Sequence, residues 1–318
     1  MRERAVTFGS NGGLVGVVTE PTQQVPAPRR AILLSNVGSH HRVGPFRLYV
    51  EVARFFATRG WYVLRFDLAG LGDSVTAEGA EPESERATLD VIEAMNFMEK
   101  SFGIEHFVPI GLCSGVDSTH AATVIDARIK GVVFIDGYTY PTFGYQVRRY
   151  LSRFFQLKRW LRYVKRKRMA RHFPSIATEK PVEAVFTREY PSLERFRSDI
   201  GRIAARDTRM LFIFTGSVDY RYNHRNQIFE QLGDTAARHL VDIGYFSDVD
   251  HLFSTEARRR SLMSHVDSWL ATFADDLKNE TPARGPQDSS VTLRGASGKL
   301  TPRSSAAMRA PEKTGLGR

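Results

Sequence analysis

The chain has 318 residues, of which 42% are hydrophobic and 11% aromatic, and this is enough for one sizeable core of a globular protein. No apolar run approaches the ~18 residues of a membrane-spanning helix, the N-terminus lacks the apolar stretch of a signal peptide, and a single cysteine excludes an internal disulfide. We therefore predict a cytoplasmic protein, and its formal charge of +10 favours acidic partners.

The N-terminal half of the chain alternates between predicted strands and helices. Apolar runs on both sides of an Asn-Gly-Gly turn predict a β-hairpin, and AILLSNVG predicts a buried strand. A helix is predicted from Pro45 to Gly60 and is followed by the strand WYVLRFDL. An amphipathic helix ending at Gly103, the strand HFVPIGL, a helix from Ser114 and the strand GVVFIDGY complete this half.

The alternation stops between residues 139 and 209 and then resumes. The strand MLFIFTGSVD, a helix around 223–232, the strand ARHLVDIGYF and a final helix from about 255 to 277 follow. This order predicts a mostly parallel sheet with helices on both faces and a ligand site at the carboxyl ends of the strands.

The same pattern predicts the domain organisation. Residues 1–138 and 210–277 form the α/β core, and 139–209 form a basic helical cap, because compact domains rarely carry such long connections without structure. The tail 278–318 is rich in Gly, Ser, Pro and Thr, with eight Lys/Arg and three acids, and is predicted to be disordered and basic.

The sharpest motif surrounds the only cysteine, in Gly111-Leu112-Cys113-Ser114-Gly115. Glycines two residues to either side of a reactive side chain relieve crowding on a tight strand-to-helix turn, so the frame selects Cys113 as the nucleophile. Ser114 follows the nucleophile, and its backbone N–H would begin an oxyanion hole. The alternative is a small cysteine buried in a tight turn for packing.

A nucleophilic thiol needs a base and an orienting carboxylate, which in this topology follow the nucleophile in the order acid, histidine. Asp219 lies just past the strand MLFIFTGSV, and His251 lies in the loop after the last strand. Asp248 and Asp250 are rival acids, but a carboxylate so close to the base in sequence usually points elsewhere. The predicted triad is Cys113, His251 and Asp219.

Three stretches resemble the α/β-hydrolase fold family, especially its bacterial serine-aminopeptidase-like and lysophospholipase-like members. RFDLAGLGDS is similar to the family's D-x-x-G-x-G-x-S turn, GLCSG to its nucleophile turn, and DHLFS to its Asp-His-x-Phe end. The resemblance covers about residues 5 to 275. NVGSHHRVGPFRLYVEVARFFATRGWYVLRFDLAGLGDS also resembles hydrolases found beside bacterial exopolysaccharide and exosortase systems.

The resemblance implies further site residues. The second oxyanion donor would be a backbone N–H in the loop after AILLS, at Val37 or Gly38, and His41 and Arg42 on that loop would be candidates for substrate contact. The family usually has serine where this chain has Cys113, although the dienelactone hydrolases of the same fold use cysteine. A cysteine gives an acyl-thioester, which amines and alcohols capture as well as water.

The basic cap has several interpretations. Residues 148–172 hold eleven Lys/Arg and no acid, and apolar residues recur at helical spacing through the same stretch. A cap helix that packs its apolar stripe on the core and exposes its charges is the plainest reading. Contact of 147–172 with an anionic membrane surface is the first alternative, and nucleic acid ranks last because no recognised binding motif accompanies the charge.

The sequence thus predicts a hydrolase or acyltransferase that acts on an ester, thioester or amide of a small-molecule, lipid-linked or glycan-linked acyl group. No dinucleotide fingerprint, phosphate-binding loop or metal-ligand motif occurs, so no cofactor is expected. The alternative is a non-catalytic relative that uses its basic cap to bind an anionic partner or a membrane surface, for example at a polysaccharide-synthesis complex. In either case the protein would lie in the cytoplasm or against the inner membrane face.

Overall fold

A computed structural model describes residues 1–9, 12–23, 28–76, 82–154, 190–233 and 236–273. The chain divides into two units, 1–285 and 286–318, and every described residue belongs to the first. The predicted tail 278–318 lies outside the described residues, as does the middle of the predicted cap. None of the described helices has the length and apolar character needed to cross a bilayer.

Eight strands form one sheet in the order β1-β2-β4-β3-β5-β6-β7-β8. The first two strands form the predicted hairpin, β2 pairs antiparallel with β4, and all later neighbours are parallel. The strands are β1 Arg2–Phe8, β2 Leu14–Glu20, β3 Arg29–Leu34, β4 Tyr62–Asp67, β5 Ile104–Leu112, β6 Gly131–Ile135, β7 Arg209–Thr215 and β8 Val241–Phe246.

Helices cover both faces of the sheet, as predicted for a mostly parallel α/β fold. They are α1 Leu48–Ala57, α2 Glu83–Phe102, α3 Gly115–Ile125, α4 Phe143–Phe154, α5 Leu193–Ala204, α6 Gln227–Leu232 and α7 Glu256–Ala271. The predicted helix that starts at Pro45 opens instead with a short 3₁₀ turn, so its α-helical part begins at Leu48.

The central strand β6 is apolar and buried along its whole length because its successive side chains serve opposite cores. Val133 faces the core under α1 and α7, whereas its neighbour Phe134 faces the core under α2, α3, α5 and α6. The region predicted as a cap ends in α5, whose Phe196, Ile200 and Ile203 are buried in this second core. This end of the 139–209 region is therefore part of the α/β core.

The parallel strands place their carboxyl ends along one edge of the sheet. The loops after β3, β5, β6, β7 and β8 all begin there, and two of them cross-link by backbone contacts. The N–H of Gly216, after β7, donates to the carbonyl of Val249 in the loop after β8 at 3.1 Å. The residues of the predicted site all lie on these loops.

Candidate active site

Cys113 occupies a strained turn between β5 and α3. Its φ is 54°, a left-handed backbone conformation that non-glycine residues seldom adopt. A Cβ added to Gly111 would lie 2.7 Å from the Gly115 carbonyl oxygen, and one added to Gly115 would lie 2.8 Å from that of Asn36, so both positions require glycine. The Cys113 N–H donates to the carbonyl of Ile135 at 2.9 Å, and the half-buried thiol faces the strand-end edge.

His251 faces Cys113 from the loop after β8. Its backbone N–H donates to Ser217 Oγ at 2.8 Å, which ties the loop to the end of β7. Its Nδ1 lies 2.7 Å from Oδ2 of Asp136. The hydrogen bond to Asp136 and a second one to the Cys113 side chain together raise the pKa of His251 to about 10. Because Nδ1 is bound to Asp136, Nε2 is the nitrogen left for the thiol.

Asp136 is the first residue after β6, and its carboxylate is fully buried. Besides His251 it accepts two hydrogen bonds from Thr215, at 2.7 Å from the backbone N–H and at 2.6 Å from the hydroxyl. A buried carboxylate with three hydrogen-bond donors is itself fixed in place, and it holds the imidazole in one orientation. Like Cys113, Asp136 has a positive φ, of 47°.

The expected acid, Asp219, is therefore corrected to Asp136. Asp219 follows the short turn after β7 and is exposed, whereas Nδ1 of His251 is bound to Asp136. The rival Asp250 accepts from Ser254 instead, and Asp248 pairs with Arg258. The strand-end position of Asp136 is readable in VVFIDGY, one strand before the position predicted for the acid.

The loop after β3 packs against the nucleophile turn, as expected for an oxyanion hole. The N–H of Gly38 donates to Ser114 Oγ at 2.7 Å. The Gly38 N–H is thus already hydrogen-bonded to the residue after the nucleophile, so Gly38 leaves the expected set of oxyanion donors. Val37 pairs with His40 across a tight turn at the same edge, and Ser114 caps the N-terminus of α3. Their N–H groups remain the predicted donors.

Asp67, at the end of β4, holds this loop in place. Its buried carboxylate accepts from Asn36 Nδ2 at 2.9 Å and from the Arg42 backbone N–H at 2.7 Å, and it also pairs with the Arg42 guanidinium. Gly72 lies against the same carboxylate, where a Cβ would be 2.3 Å from Oδ2. The D-x-x-G-x-G-x-S turn therefore anchors the loop that carries Val37.

Arg42, expected to contact substrate, is instead paired with two carboxylates. Its guanidinium is shared between Asp67 and Asp73, the latter at 2.7 Å, and its side chain is largely buried. His41 lies at the exposed edge, 3.3 Å from Asp73, and its contact with substrate stays a prediction. The side chains of His41, Asp67 and Asp73 cluster closely enough for a metal ion, but Arg42 already supplies the cation there.

Comparison with known proteins identifies the architecture. Neither a protein-family model nor a curated protein sequence matches the chain. Solved structures do match. The esterase domain of a Rhodothermus marinus protein is 17% identical, with a TM-score of 0.51 over 85% of this chain and 99% of that one. The chain has the α/β-hydrolase fold.

Two further structures with this fold agree. The Pyrococcus furiosus esterase Pf2001 is 15% identical, with a TM-score of 0.53 over 86% of this chain and 90% of that one. XC6422 from Xanthomonas campestris, described as an α/β serine hydrolase without a lid, is 14% identical with a TM-score of 0.50, over 89% and 98% of the two chains. At these identities the likeness establishes the α/β-hydrolase fold and leaves the chemistry to the residues.

Proposed function

We propose that this protein is an acyl-group enzyme in which Cys113 attacks an ester, thioester or amide carbonyl, with His251 as base and Asp136 as its orienting carboxylate. The observation that carries the proposal is the continuous contact from the Cys113 thiol through His251 to the buried Asp136. Two of the similar structures are esterases by description, which supports an oxygen ester among the substrates.

The contacts define an order of proton movements. The thiol proton passes to Nε2 of His251 while Asp136 stabilises the imidazolium, and the sulfur then attacks the carbonyl carbon. The N–H groups of Ser114 and Val37 stabilise the oxyanion. Collapse of the tetrahedral intermediate breaks the bond to the leaving group, which takes the proton from His251 and leaves an acyl-thioester on Cys113.

The second half of the cycle decides between a hydrolase and an acyltransferase. His251 removes a proton from water, an alcohol or an amine, the new nucleophile attacks the thioester, and the proton returns to the Cys113 sulfur. Amines and alcohols capture thioesters readily, so cysteine at this position favours acyl transfer more than serine would. The acceptor that enters the site therefore determines the product.

The test is to trap the acyl group on the protein. The wild type is mixed with p-nitrophenyl acetate, p-nitrophenyl butyrate and a matching aryl thioester, quenched in acid, and examined by intact and peptide mass spectrometry. We expect an acyl adduct on Cys113 that forms with the burst of leaving group and is absent from Cys113→Ala.

A second arm follows the fate of the acyl group. Added hydroxylamine or a simple alcohol is expected to divert it into hydroxamate or ester in competition with free acid, and the partition ratio measures transfer against hydrolysis. A burst without an adduct at Cys113, or an adduct that persists in Cys113→Ala, would refute the assignment. A thiol that reacts with none of the three probes would favour the alternative of a non-catalytic binding protein.

A further inference from the structure

The two faces of α4 are arranged in the opposite way to that expected of a cap helix. The face toward the body of the protein is polar. Arg148 donates to Glu230 at 2.8 Å and to Asn223 at 3.0 Å, and the buried Tyr145 donates its hydroxyl to the carbonyl of Tyr220. These contacts, together with the buried ring of Tyr145, fix the helix on the loop after β7 and on α6.

The apolar stripe of α4 faces solvent. Phe143, Val147, Tyr150 and Leu151 are 85%, 44%, 61% and 55% exposed. Val147 follows Phe143 by four residues, and Tyr150 and Leu151 follow Val147 by three and four, so the four side chains share one face of the helix. Singly exposed apolar residues are ordinary on protein surfaces, but a contiguous helical stripe of them marks a contact surface.

The sequence continues this stripe beyond the described side chains. Phe154, Leu157, Leu161 and Val164 keep the same spacing, and the surrounding run 148–172 holds eleven Lys/Arg and no acid. An apolar stripe accompanied by a dense, uniformly basic flank is the composition of segments that lie in the interface of an anionic bilayer.

The helix that carries this surface contacts the loop after β7, which begins at the same edge of the sheet as the candidate active site. The backbone carbonyl of Tyr220 accepts the hydrogen bond from Tyr145. The pKa of the Tyr220 side chain is raised by burial, by Tyr190, and by the charges of Cys113 and Asp136. One residue thus lies within electrostatic reach of the catalytic pair and in direct contact with α4.

We propose that the outward face of α4, defined by Phe143, Val147, Tyr150 and Leu151, docks the protein onto an anionic lipid membrane. Nucleic acid would use the basic run but would leave the apolar stripe in water. A second copy would bring two runs of eleven positive charges together. An anionic bilayer satisfies both features, since its surface attracts Lys and Arg side chains and its acyl boundary takes up the apolar stripe.

The experiment is vesicle co-sedimentation of the full-length protein. Phosphatidylcholine vesicles with and without phosphatidylglycerol are compared at low and high salt, with wild type, Val147→Asp, Leu151→Asp and the control Ile125→Asp. Ile125 is also an exposed β-branched residue, but it ends α3 at the opposite edge of the sheet. The Cys113→Ala variant, which removes the candidate nucleophile, is included so that binding is read independently of catalysis.

We expect the wild type, Ile125→Asp and Cys113→Ala to bind phosphatidylglycerol vesicles, more tightly at low salt, and the two α4 variants to bind at least about tenfold more weakly. Equal binding by Val147→Asp and Ile125→Asp would overturn the proposal. The proposal would also be overturned if Val147→Asp abolished a self-association of the protein, or if the protein bound nucleic acid equally well with and without this change. A loss of folding stability in Val147→Asp would overturn it too, because it would show that the chain itself covers the stripe.

Discussion

Replacement of Asp136 by Asn tests the assignment of the acid directly. The change keeps the shape of the side chain but removes the charge that faces His251 Nδ1 at 2.7 Å. The rise of the His251 pKa from 6.5 to about 10 corresponds to roughly 5 kcal/mol in favour of the imidazolium, at about 1.4 kcal/mol for each tenfold change, and Asp136 is the larger of its two main causes. We expect this pKa to fall back toward its ordinary value in Asp136→Asn.

The readout is the rate of alkylation of Cys113 by iodoacetamide across pH 5 to 9. Beside an imidazolium the thiolate persists in weak acid, whereas a thiol with an ordinary pKa of ~8.5 is only about 1% ionised at pH 6.5. The rate at pH 6.5 should therefore fall between about tenfold and about 100-fold in Asp136→Asn, because the thiolate of higher pKa is intrinsically more nucleophilic and offsets part of the loss.

Asp219→Asn is the matched control, because it removes an exposed carboxylate after the next strand, while Asp136 keeps its contact with His251 Nδ1. Its alkylation profile should coincide with that of the wild type. If Asp219→Asn shifts the profile and Asp136→Asn does not, the acid is Asp219 and the contact at the end of β6 is structural. If neither variant shifts it, the thiol is not activated by a carboxylate-bound histidine.

Three further predictions concern groups outside the catalytic contact. Asp67→Asn should lower the free energy of unfolding, measured in urea, by about 3 to 5 kcal/mol because it leaves the buried guanidinium of Arg42 half-paired. Asp73→Asn changes an exposed partner of the same guanidinium and should cost less than about 1 kcal/mol. Equal effects of the two variants would contradict the anchoring role of Asp67. Burial lowers the pKa of His120 to about 4, so the unfolded chain binds a proton below pH ~6.5 that the folded protein does not bind until pH ~4. The free energy of unfolding should therefore fall by about 2 kcal/mol between pH 7 and pH 5 because of His120, and His120→Leu should abolish this contribution. The same dependence of the unfolding free energy on pH in wild type and His120→Leu would refute the prediction. Tyr49→Phe should raise the free energy of unfolding by about 1 kcal/mol and leave activity unchanged, because the buried hydroxyl has no hydrogen-bond partner among the described residues. Loss of activity with unchanged stability would instead show that this hydroxyl acts beside Cys113.

The alternation of apolar runs and helical periods was sufficient to predict the parallel sheet, since each buried strand is a short continuous run closed by a turn. The glycine frame was likewise sufficient for the turn at Cys113, because the steric requirement is local. The choice between Asp136 and Asp219 was not local. Both follow buried strands, and only the three-dimensional path of the loop after β8 determines which carboxylate meets His251.

The orientation of α4 also required the structure. Periodicity defines the apolar stripe but not the direction in which it points, and the usual assumption turns such a stripe toward the core. Here the polar contacts of Arg148 and Tyr145 fix the opposite rotation. The same limit applies to Arg42, whose charge suggested a substrate contact until its two carboxylate partners were visible.

Cys113 and Asp136, the proposed nucleophile and its acid, directly follow two strands that are neighbours in the sheet. Leu112 of β5 pairs with Ile135 of β6, one residue before Cys113 and one before Asp136, so their spacing is set by sheet register and not by loop length. The loop after β7, including Asp219, is thereby released from supplying the acid. Changes in the length of that loop should therefore leave the spacing of Cys113 and Asp136 unchanged, because the two residues follow paired strands.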